Sequence, residues 1–305
     1  MDSPHTPVDV NIPRKGALIA SAFREPPPGA PPFFSLVEFN LAGLCNRACV
    51  FCPRASPAVY PSRNEHIPVA LYEKVVRELG AMDYRGMVLH SGFGEPLLAK
   101  DVEALIALTR THCPHARVEL VTNGDRVTTD RLRALFGAGL DTLLVSMYDG
   151  PAQQRAFEAM RAEAGLTPAQ VVLRVRWLPV AERFGLELTN RGGLVEIGAA
   201  GVGPLGEPLK RRCHYPFYMV MIDYDGSVLL CTHDWGRKLV VGNVRDQPLQ
   251  ALWDGDTMKR VRRRLAGADR GVAPCDVCDV DGTLMGARHF DAWRDYYDRA
   301  ERAAP

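Results

Sequence analysis

The sequence predicts an α/β fold built on a parallel sheet, followed by a smaller cysteine-rich region. Between residues 35 and 200, short apolar segments alternate about six times with segments of helical periodicity, as in consecutive βαβ units. The chain has 305 residues, of which 47% are hydrophobic, which is enough for one large core and a small additional domain. Seven of the eight cysteines fall into two groups, one at residues 45–52 and one at residues 213–278.

The predicted strands and helices follow one another at regular intervals. Strands are predicted over residues 34–40, 87–90, 117–122, 142–146 and 171–178, and helices over residues 70–79, 102–111, 129–137 and 151–164. A further pair of short strands is expected at 187–188 and 194–197. About six such units are too few for a closed eight-unit barrel. The turns that follow parallel strands lie at one edge of the sheet, where ligands bind in folds of this class.

The regions outside this alternation have different characters. Residues 1–33 are rich in proline and lack periodicity, which predicts an extended arm. After the glycine-rich segment 201–206, apolar segments flank Asp223-Tyr224-Asp225-Gly226, a pattern typical of a β-hairpin. Residues 249–265 predict a basic amphipathic helix, and residues 287–302 a last helix with aromatic side chains on one side. We therefore expect an arm over 1–33, a core over 34–203, a cysteine-rich domain over 204–285 and a terminal helix over 286–305.

Composition excludes several classes of partner. The formal net charge is +1, which gives no reason to expect nucleic acid or an anionic membrane as partner. No segment approaches the roughly 18 consecutive apolar residues of a membrane-spanning helix. The spacing of the cysteines points to metal binding rather than disulfide bonds, and an oxygen-sensitive metal cluster favours the reducing cytoplasm.

The first cysteine group predicts a metal centre with one open position. Cys45, Cys49 and Cys52 have the spacing Cys-x3-Cys-x2-Cys, with Phe51 just before the last cysteine. Thiolates select zinc, copper(I) or an iron–sulfur cluster. A structural zinc site or an ordinary four-iron cluster takes four protein ligands, so three ligands leave one iron open to an outside ligand. A zinc knuckle and three free thiols are the alternatives.

Polar or glycine-rich turns follow the next predicted strands. Gly92-Phe93-Gly94-Glu95-Pro96 comes about 40 residues after the cysteines and allows a ligand to approach the backbone closely. Ser146 ends the fourth strand. Arg174 and Arg176 share one face of the fifth strand. Facing inward, the two arginines would hold an anionic or hydroxylated ligand, and facing outward they would form a solvated surface.

The second cysteine group predicts a closed four-thiolate site. Two cysteines lie at the ends of the predicted hairpin and two form a Cys-x2-Cys pair some forty residues later, a set suited to zinc or to a complete iron–sulfur cluster. The four residues are Cys213, Cys231, Cys275 and Cys278. Cys113 is left over, and a lone thiol of this kind is expected to be inert.

The triplet with Phe51, and the Gly-Phe-Gly-Glu-Pro turn after it, resemble the signature of the radical S-adenosylmethionine (radical SAM) superfamily. The resemblance implies an open partial (β/α)6 barrel, a [4Fe–4S] cluster on Cys45, Cys49 and Cys52, and SAM bound at the open iron. Electron transfer from that cluster cleaves SAM to a 5'-deoxyadenosyl radical in the family. The resemblance further implies that several residues near the cluster contact SAM. These are Phe51, Gly92, Gly94, Glu95, Ser146 and Arg174.

The second cysteine group resembles the SPASM/Twitch extension of radical SAM enzymes. No cysteine follows Cys278, which implies the shorter Twitch form with a hairpin, a helix and one auxiliary [4Fe–4S] cluster. Four cysteines fill the four irons of that cluster, so the substrate is expected to bind elsewhere.

The resemblance to aminocyclitol dehydrogenases implies oxidation of a secondary alcohol of a carbohydrate or aminocyclitol, with an auxiliary cluster able to accept an electron. A flavodoxin or ferredoxin is the expected electron donor. No catalytic residue is assigned. The alternatives are a sugar epimerase, for which Cys113 is the remaining candidate hydrogen donor, and an enzyme that modifies a peptide. A hypothesis of another class is an iron–sulfur electron-transfer protein.

Overall fold

The structure is a computed structural model that describes residues 9–302. The strands are β1 Leu36–Phe39, β2 Met87–His90, β3 Arg117–Thr122, β4 Thr142–Met147, β5 Val171–Val175, β6 Met219–Ile222, β7 Ser227–Leu229 and β8 Val240–Asn243. The helices are α1 Asn11–Ala22, α2 Val69–Ala81, α3 Val102–His112, α4 Thr129–Gly137, α5 Pro151–Glu163, α6 Tyr215–Tyr218, α7 Leu249–Trp253, α8 Asp256–Ala266 and α9 Ala287–Arg302.

All eight strands form one sheet, in the order β5-β4-β3-β2-β1-β6-β7-β8. Strands β1 to β5 are parallel, with helices between them from α2 onward, which confirms the predicted α/β class. The predicted hairpin is present as β6 and β7, and its first strand pairs in parallel with β1. The cysteine-rich region therefore extends the core sheet instead of forming a separate sheet.

The pair of short strands predicted at residues 187–188 and 194–197 does not form. This part of the chain contains 3-10 turns at 180–185 and 198–200 and a single antiparallel bridge between Ile197 and Val202. Arg191, Gly192 and Gly193 have positive φ angles, which a continuous strand does not accommodate. The edge of β1 that faces away from β2 is occupied by β6.

The expectation that residues 1–33 form an extended arm is wrong for residues 11–22, which are helix α1; residues 1–8 lie outside the described part. The prolines that suggested an extended arm lie mainly outside the helix, and Pro13 is in its first turn, where a missing N–H is tolerated. The Asn11 N–H donates to Asp9 Oδ1 at 3.0 Å, and Ile19 is buried on the sheet. Helix α1 thus covers the face of the sheet that carries Leu36 and Leu89, which we call the inner face.

The C-terminal helices pack around a buried arginine. The single helix predicted over 249–265 is two helices, because the chain turns at Asp254 and Gly255. The guanidinium of Arg262 lies 3.8 Å from the ring centre of Trp253 and 4.0 Å from that of Trp293. Helix α9 confirms the predicted aromatic helix. Among residues 9–302, no helix combines the length and the apolar character that crossing a bilayer would require.

Candidate active site

A cavity of about 330 Å³ lies where the parallel strands end. Its lining includes the three cysteines of the triplet and, from the other cysteine region, Tyr215, Thr232 and His233. Thr232 and His233 directly follow Cys231, and Tyr215 lies two residues after Cys213. One cavity therefore adjoins both predicted cluster sites.

Asn40 holds the Gly-Phe-Gly-Glu-Pro turn at the rim of this cavity. Its Oδ1 accepts hydrogen bonds from the backbone N–H of Phe93 at 3.2 Å and of Gly94 at 2.8 Å. Its amide nitrogen donates to Asp223 Oδ1 at 2.7 Å. Because Asn40 follows β1 and Asp223 follows β6, and these strands are neighbours in the sheet, the turn is fixed to the centre of the sheet.

The glycines of the turn are required by close packing against the cysteine loop. A Cβ added at Gly94 would lie 2.0 Å from the carbonyl oxygen of Ala42 and 2.8 Å from that of Leu44. Gly92 has a φ of +101°, which disfavours any other residue. The Glu95 N–H donates to the Leu44 carbonyl at 2.7 Å, directly before Cys45. The turn and the cysteine loop are therefore one rigid unit.

The Glu95 carboxylate is buried and bound by the protein itself. It accepts hydrogen bonds from Thr122 Oγ1 at 2.7 Å, from the Leu97 N–H at 3.0 Å and from the Asn123 N–H at 2.8 Å. Burial raises the pKa of Glu95, and these hydrogen bonds oppose the rise. Glu95 lines the cavity, and the contact with SAM predicted for it remains a prediction.

Arg47 ties the cysteine loop to the ends of β3 and β4. Its guanidinium donates to Asp125 at 2.8 Å and to Asp149 at 2.7 Å, and it lies 4.7 Å from the ring centre of Tyr148. Phe51 stacks on the same Tyr148 ring, with ring centres 6.2 Å apart. Ser146, Phe51 and Tyr148 all line the cavity, and the SAM contacts predicted for Phe51 and Ser146 remain predictions.

Arg174 and Arg176 face the cavity, which decides between the inward and outward alternatives. Both guanidiniums bind the carboxylate of Asp9, that of Arg174 at 2.9 Å. Arg176 is buried, and its pKa is lowered to about 10, first by burial and then by the positive charge of Arg174. No sequence signal pointed to Asp9, because it lies two residues before α1 and reaches β5 only in the folded chain.

The triplet thiols lie close together and suit a shared inorganic core. Burial raises the pKa of Cys49 to about 11, and the nearby thiols of Cys52 and Cys45 contribute to the rise. The Asn123 amide lies 3.9 Å from the Cys45 sulfur. A cationic core would hold these sulfurs as thiolates, which is how metal centres act on thiols.

The four thiols of the second group also converge. Burial raises the pKa of Cys231, and the thiols of Cys275, Cys213 and Cys278 raise it further, in that order. All four side chains are buried. Such a closed set of four sulfurs fits a complete cluster with no open position.

Arg270 organises the second thiol group and was not predicted. It is buried and donates to the carbonyl oxygens of Arg211 at 2.9 Å, Arg212 at 2.8 Å and Val280 at 2.6 Å. These carbonyls neighbour Cys213 and Cys278, so one guanidinium joins the two loops that carry them. A single arginine in a loop carries no sequence signal of this role.

Cys113 is far from this chemistry. Its thiol is buried in the core between α2 and the sheet and donates to the Val76 carbonyl at 3.2 Å. Among the described residues that line the cavity, the only thiols are those of the triplet. The prediction that Cys113 is inert agrees with this position.

Two domain families match the chain. Residues 39–165 match the radical SAM superfamily, and residues 213–279 match the SPASM iron–sulfur cluster-binding domain. Both matches contain the cysteines predicted for the corresponding cluster.

Individual relatives agree. The chain is 29% identical over 245 residues to the S-adenosyl-L-methionine-dependent 2-deoxy-scyllo-inosamine dehydrogenase of Niallia circulans, covering 80% of this chain and 91% of that protein. It is 32% identical over 116 residues to the PqqA peptide cyclase of Methylocella silvestris, which covers 37% of this chain and 29% of that protein.

The fold resembles the crystal structure of BtrN in complex with AdoMet and 2-DOIA. The TM-score is 0.69 at 25% identity, covering 84% of this chain and 97% of BtrN. The chain therefore belongs to the radical SAM superfamily, with a C-terminal SPASM-type region, and its cofactors are SAM, one SAM-cleaving [4Fe–4S] cluster and one auxiliary iron–sulfur cluster.

Proposed function

We propose that this enzyme oxidises a secondary alcohol of an aminocyclitol or related carbohydrate to a ketone. The observation that carries the proposal is the single cavity that adjoins both cysteine groups. When bound, SAM and the first cluster would supply a 5'-deoxyadenosyl radical that takes the carbinol hydrogen atom, and the auxiliary cluster would accept the remaining electron as the hydroxyl proton is lost to solvent. A substrate in this cavity would lie between the two.

The chain's own residues would position the ligands. We propose Cys45, Cys49 and Cys52 as ligands of the first cluster, and Cys213, Cys231, Cys275 and Cys278 as ligands of the second. The cysteine loop is held by Arg47 and by the turn at Gly92–Pro96, so its thiols are preorganised towards the cavity. Phe51 and Ser146 would contact SAM, as the family pattern implies.

The position of Cys113 favours oxidation over epimerisation. An epimerase of this family needs a thiol that returns a hydrogen atom to the substrate radical. Cys113 is only 1% exposed and faces the core, so it does not reach the cavity. The peptide cyclase relative matches only 37% of this chain, which supports a small-molecule substrate more than a peptide.

The relative from Niallia circulans is named as a 2-deoxy-scyllo-inosamine dehydrogenase. We propose an aminocyclitol of this type as the substrate. We further propose that the enzyme works in the cytoplasm, where the clusters are protected from oxidation, with a flavodoxin or ferredoxin as reductant.

Anaerobically reconstituted enzyme, given SAM, a reductant and 2-deoxy-scyllo-inosamine, should release 5'-deoxyadenosine and form a ketone. With deuterium at the carbinol carbon, the label should appear in 5'-deoxyadenosine. A Cys45→Ala, Cys49→Ala, Cys52→Ala variant is the control and should form neither product. Iron-loaded enzyme that cleaves SAM but forms an epimer, or that leaves every aminocyclitol and sugar unchanged, would contradict the proposal.

A further inference from the structure

The inner face of β1 carries a glutamate whose charge the protein leaves unpaired. Leu36 and Glu38 lie on the same face of the sheet, Leu36 packed with Ile19 of α1 and Glu38 lining the cavity. Glu38 lines the cavity and is only 2% exposed. Its Oε1 accepts a hydrogen bond from Thr232 Oγ1 at 3.1 Å, whereas its Oε2 has no hydrogen-bond partner among the described residues.

The neighbours of Glu38 make an unpaired charge costly. In the sheet register Glu38 lies between Leu89 on β2 and Met221 on β6, and both of these side chains are buried. A carboxylate in apolar surroundings is destabilising unless a cation or several hydrogen bonds compensate it. Lys15 and Arg191 line the same cavity, but within residues 9–302 neither forms an ion pair with Glu38.

A second glutamate in the same row of the sheet shows what the fold does when a buried carboxylate is structural. Glu119 on β3 pairs in register with Leu89, two strands from Glu38, and it is also 2% exposed. Its carboxylate binds the guanidiniums of Arg14 at 3.1 Å and of Arg117. Glu119 is not part of the cavity lining. Of these two buried glutamates in register across the sheet, Glu119 is paired by arginines, whereas Glu38 keeps an unpartnered oxygen in the cavity lining.

The surroundings of the open oxygen favour a cation over a neutral hydroxyl group. Tyr215 lines the same cavity as Glu38 and Thr232. An aromatic ring and a carboxylate that line one cavity are a typical setting for an ammonium group. Thr232 completes the site with a hydroxyl that can accept a hydrogen bond from the same group.

We infer that Glu38, with Tyr215 and Thr232, binds the ammonium group of an amino-substituted cyclitol and selects it against the corresponding polyol. This inference rests on the proposed function and narrows its substrate class. Because Thr232 follows Cys231 directly, the amino group is placed at the end of the cavity next to the auxiliary-cluster thiols. Selection then depends on the charge of the amino group.

The test compares 2-deoxy-scyllo-inosamine with the analogue that carries a hydroxyl group in place of the amine. Binding to the reconstituted holoenzyme with SAM is measured by calorimetry without reductant, so that no turnover is needed. A charged hydrogen bond in a buried site predicts a preference of roughly 10- to 150-fold for the amine in the wild-type enzyme. Glu38→Gln should reduce that preference to within about threefold and leave SAM affinity and iron content unchanged.

Glu119→Gln is the matched control. It should lower stability, because Arg14 and Arg117 lose their partner, but keep the preference for the amine. Equal binding of both ligands by the wild-type enzyme overturns the inference, and that measurement needs no variant. A preference that persists in Glu38→Gln also overturns it. Selective binding of the amine without ketone formation on adding reductant would support the inference and contradict the proposed oxidation.

Discussion

The packing of the Gly92–Pro96 turn against the cysteine loop predicts that Gly94→Ala damages both stability and cluster binding. The added methyl carbon would lie 2.0 Å from the Ala42 carbonyl oxygen, which is backbone and cannot rotate away. The turn would have to move by more than about 1 Å to restore normal contact. That movement would break the hydrogen bonds from Gly94 to Asn40 and from Glu95 to Leu44.

The expected magnitude follows from these contacts. The two lost hydrogen bonds cost about 1 kcal/mol each, and overpacking costs about 1–3 kcal/mol. We therefore expect the free energy of unfolding to fall by about 3–5 kcal/mol. Bound iron should also decrease, because the same movement displaces the segment before Cys45.

The assay is equilibrium urea unfolding of the reconstituted enzyme under anaerobic conditions, together with iron analysis. Gly137→Ala is the matched control, because a Cβ at Gly137, the last residue of α4, meets no atom within 4 Å. Alanine there should be neutral or stabilising by up to about 1 kcal/mol. If the free energy of unfolding of Gly94→Ala is within about 1 kcal/mol of the wild-type value and the variant retains its iron, the close-packing argument is refuted.

Three further perturbations test other parts of the site. Asp9→Asn should lower the free energy of unfolding by about 3 kcal/mol at neutral pH, because Arg174 and Arg176 lose the buried carboxylate between them. Burial opposes ionisation of Asp9, but the two arginines lower its pKa below 3.8. The stability that the Asp9 carboxylate contributes is therefore complete above about pH 4 and is lost as the pH falls through the lower folded-state pKa. Urea unfolding at pH 7 and pH 3 should show that the stability difference between Asp9→Asn and the wild type shrinks at the lower pH. Cys275→Ala should reduce iron from about eight to about four atoms per chain and abolish ketone formation while SAM cleavage continues, and unchanged iron would contradict the ligand assignment. Cys113→Ala should keep the full iron content and full ketone formation, and loss of product with intact clusters would show that the buried thiol takes part in the reaction.

The sequence determined the parts of this protein that depend on local pattern. The period of apolar residues predicted β1 to β5 and α2 to α5 with bounds within a few residues, because each of these elements buries one continuous face. The cysteine spacings predicted a shared inorganic core, and together with the turn at Gly92–Pro96 they resembled the signature of the radical SAM family.

Some local signals were ambiguous because two structures suit the same pattern. The strand predicted over residues 34–40 is present as β1, but its polar side chains do not face bulk solvent, because Glu38 lines the cavity and Asn40 is buried against the Gly92–Pro96 turn. The short apolar segments near residues 187–197 resembled strands, yet the positive φ angles at Arg191, Gly192 and Gly193 break them.

Only the tertiary structure brought distant residues together. Asp9 and Arg176 are 167 residues apart in the chain, and Thr232 and Glu38 are 194 apart, yet each pair is hydrogen-bonded. The pairing of β6 with β1, which places the second cysteine group beside the first, is equally non-local. Such contacts depend on which edges and faces remain to be covered after the local elements form, and a single sequence does not record that choice.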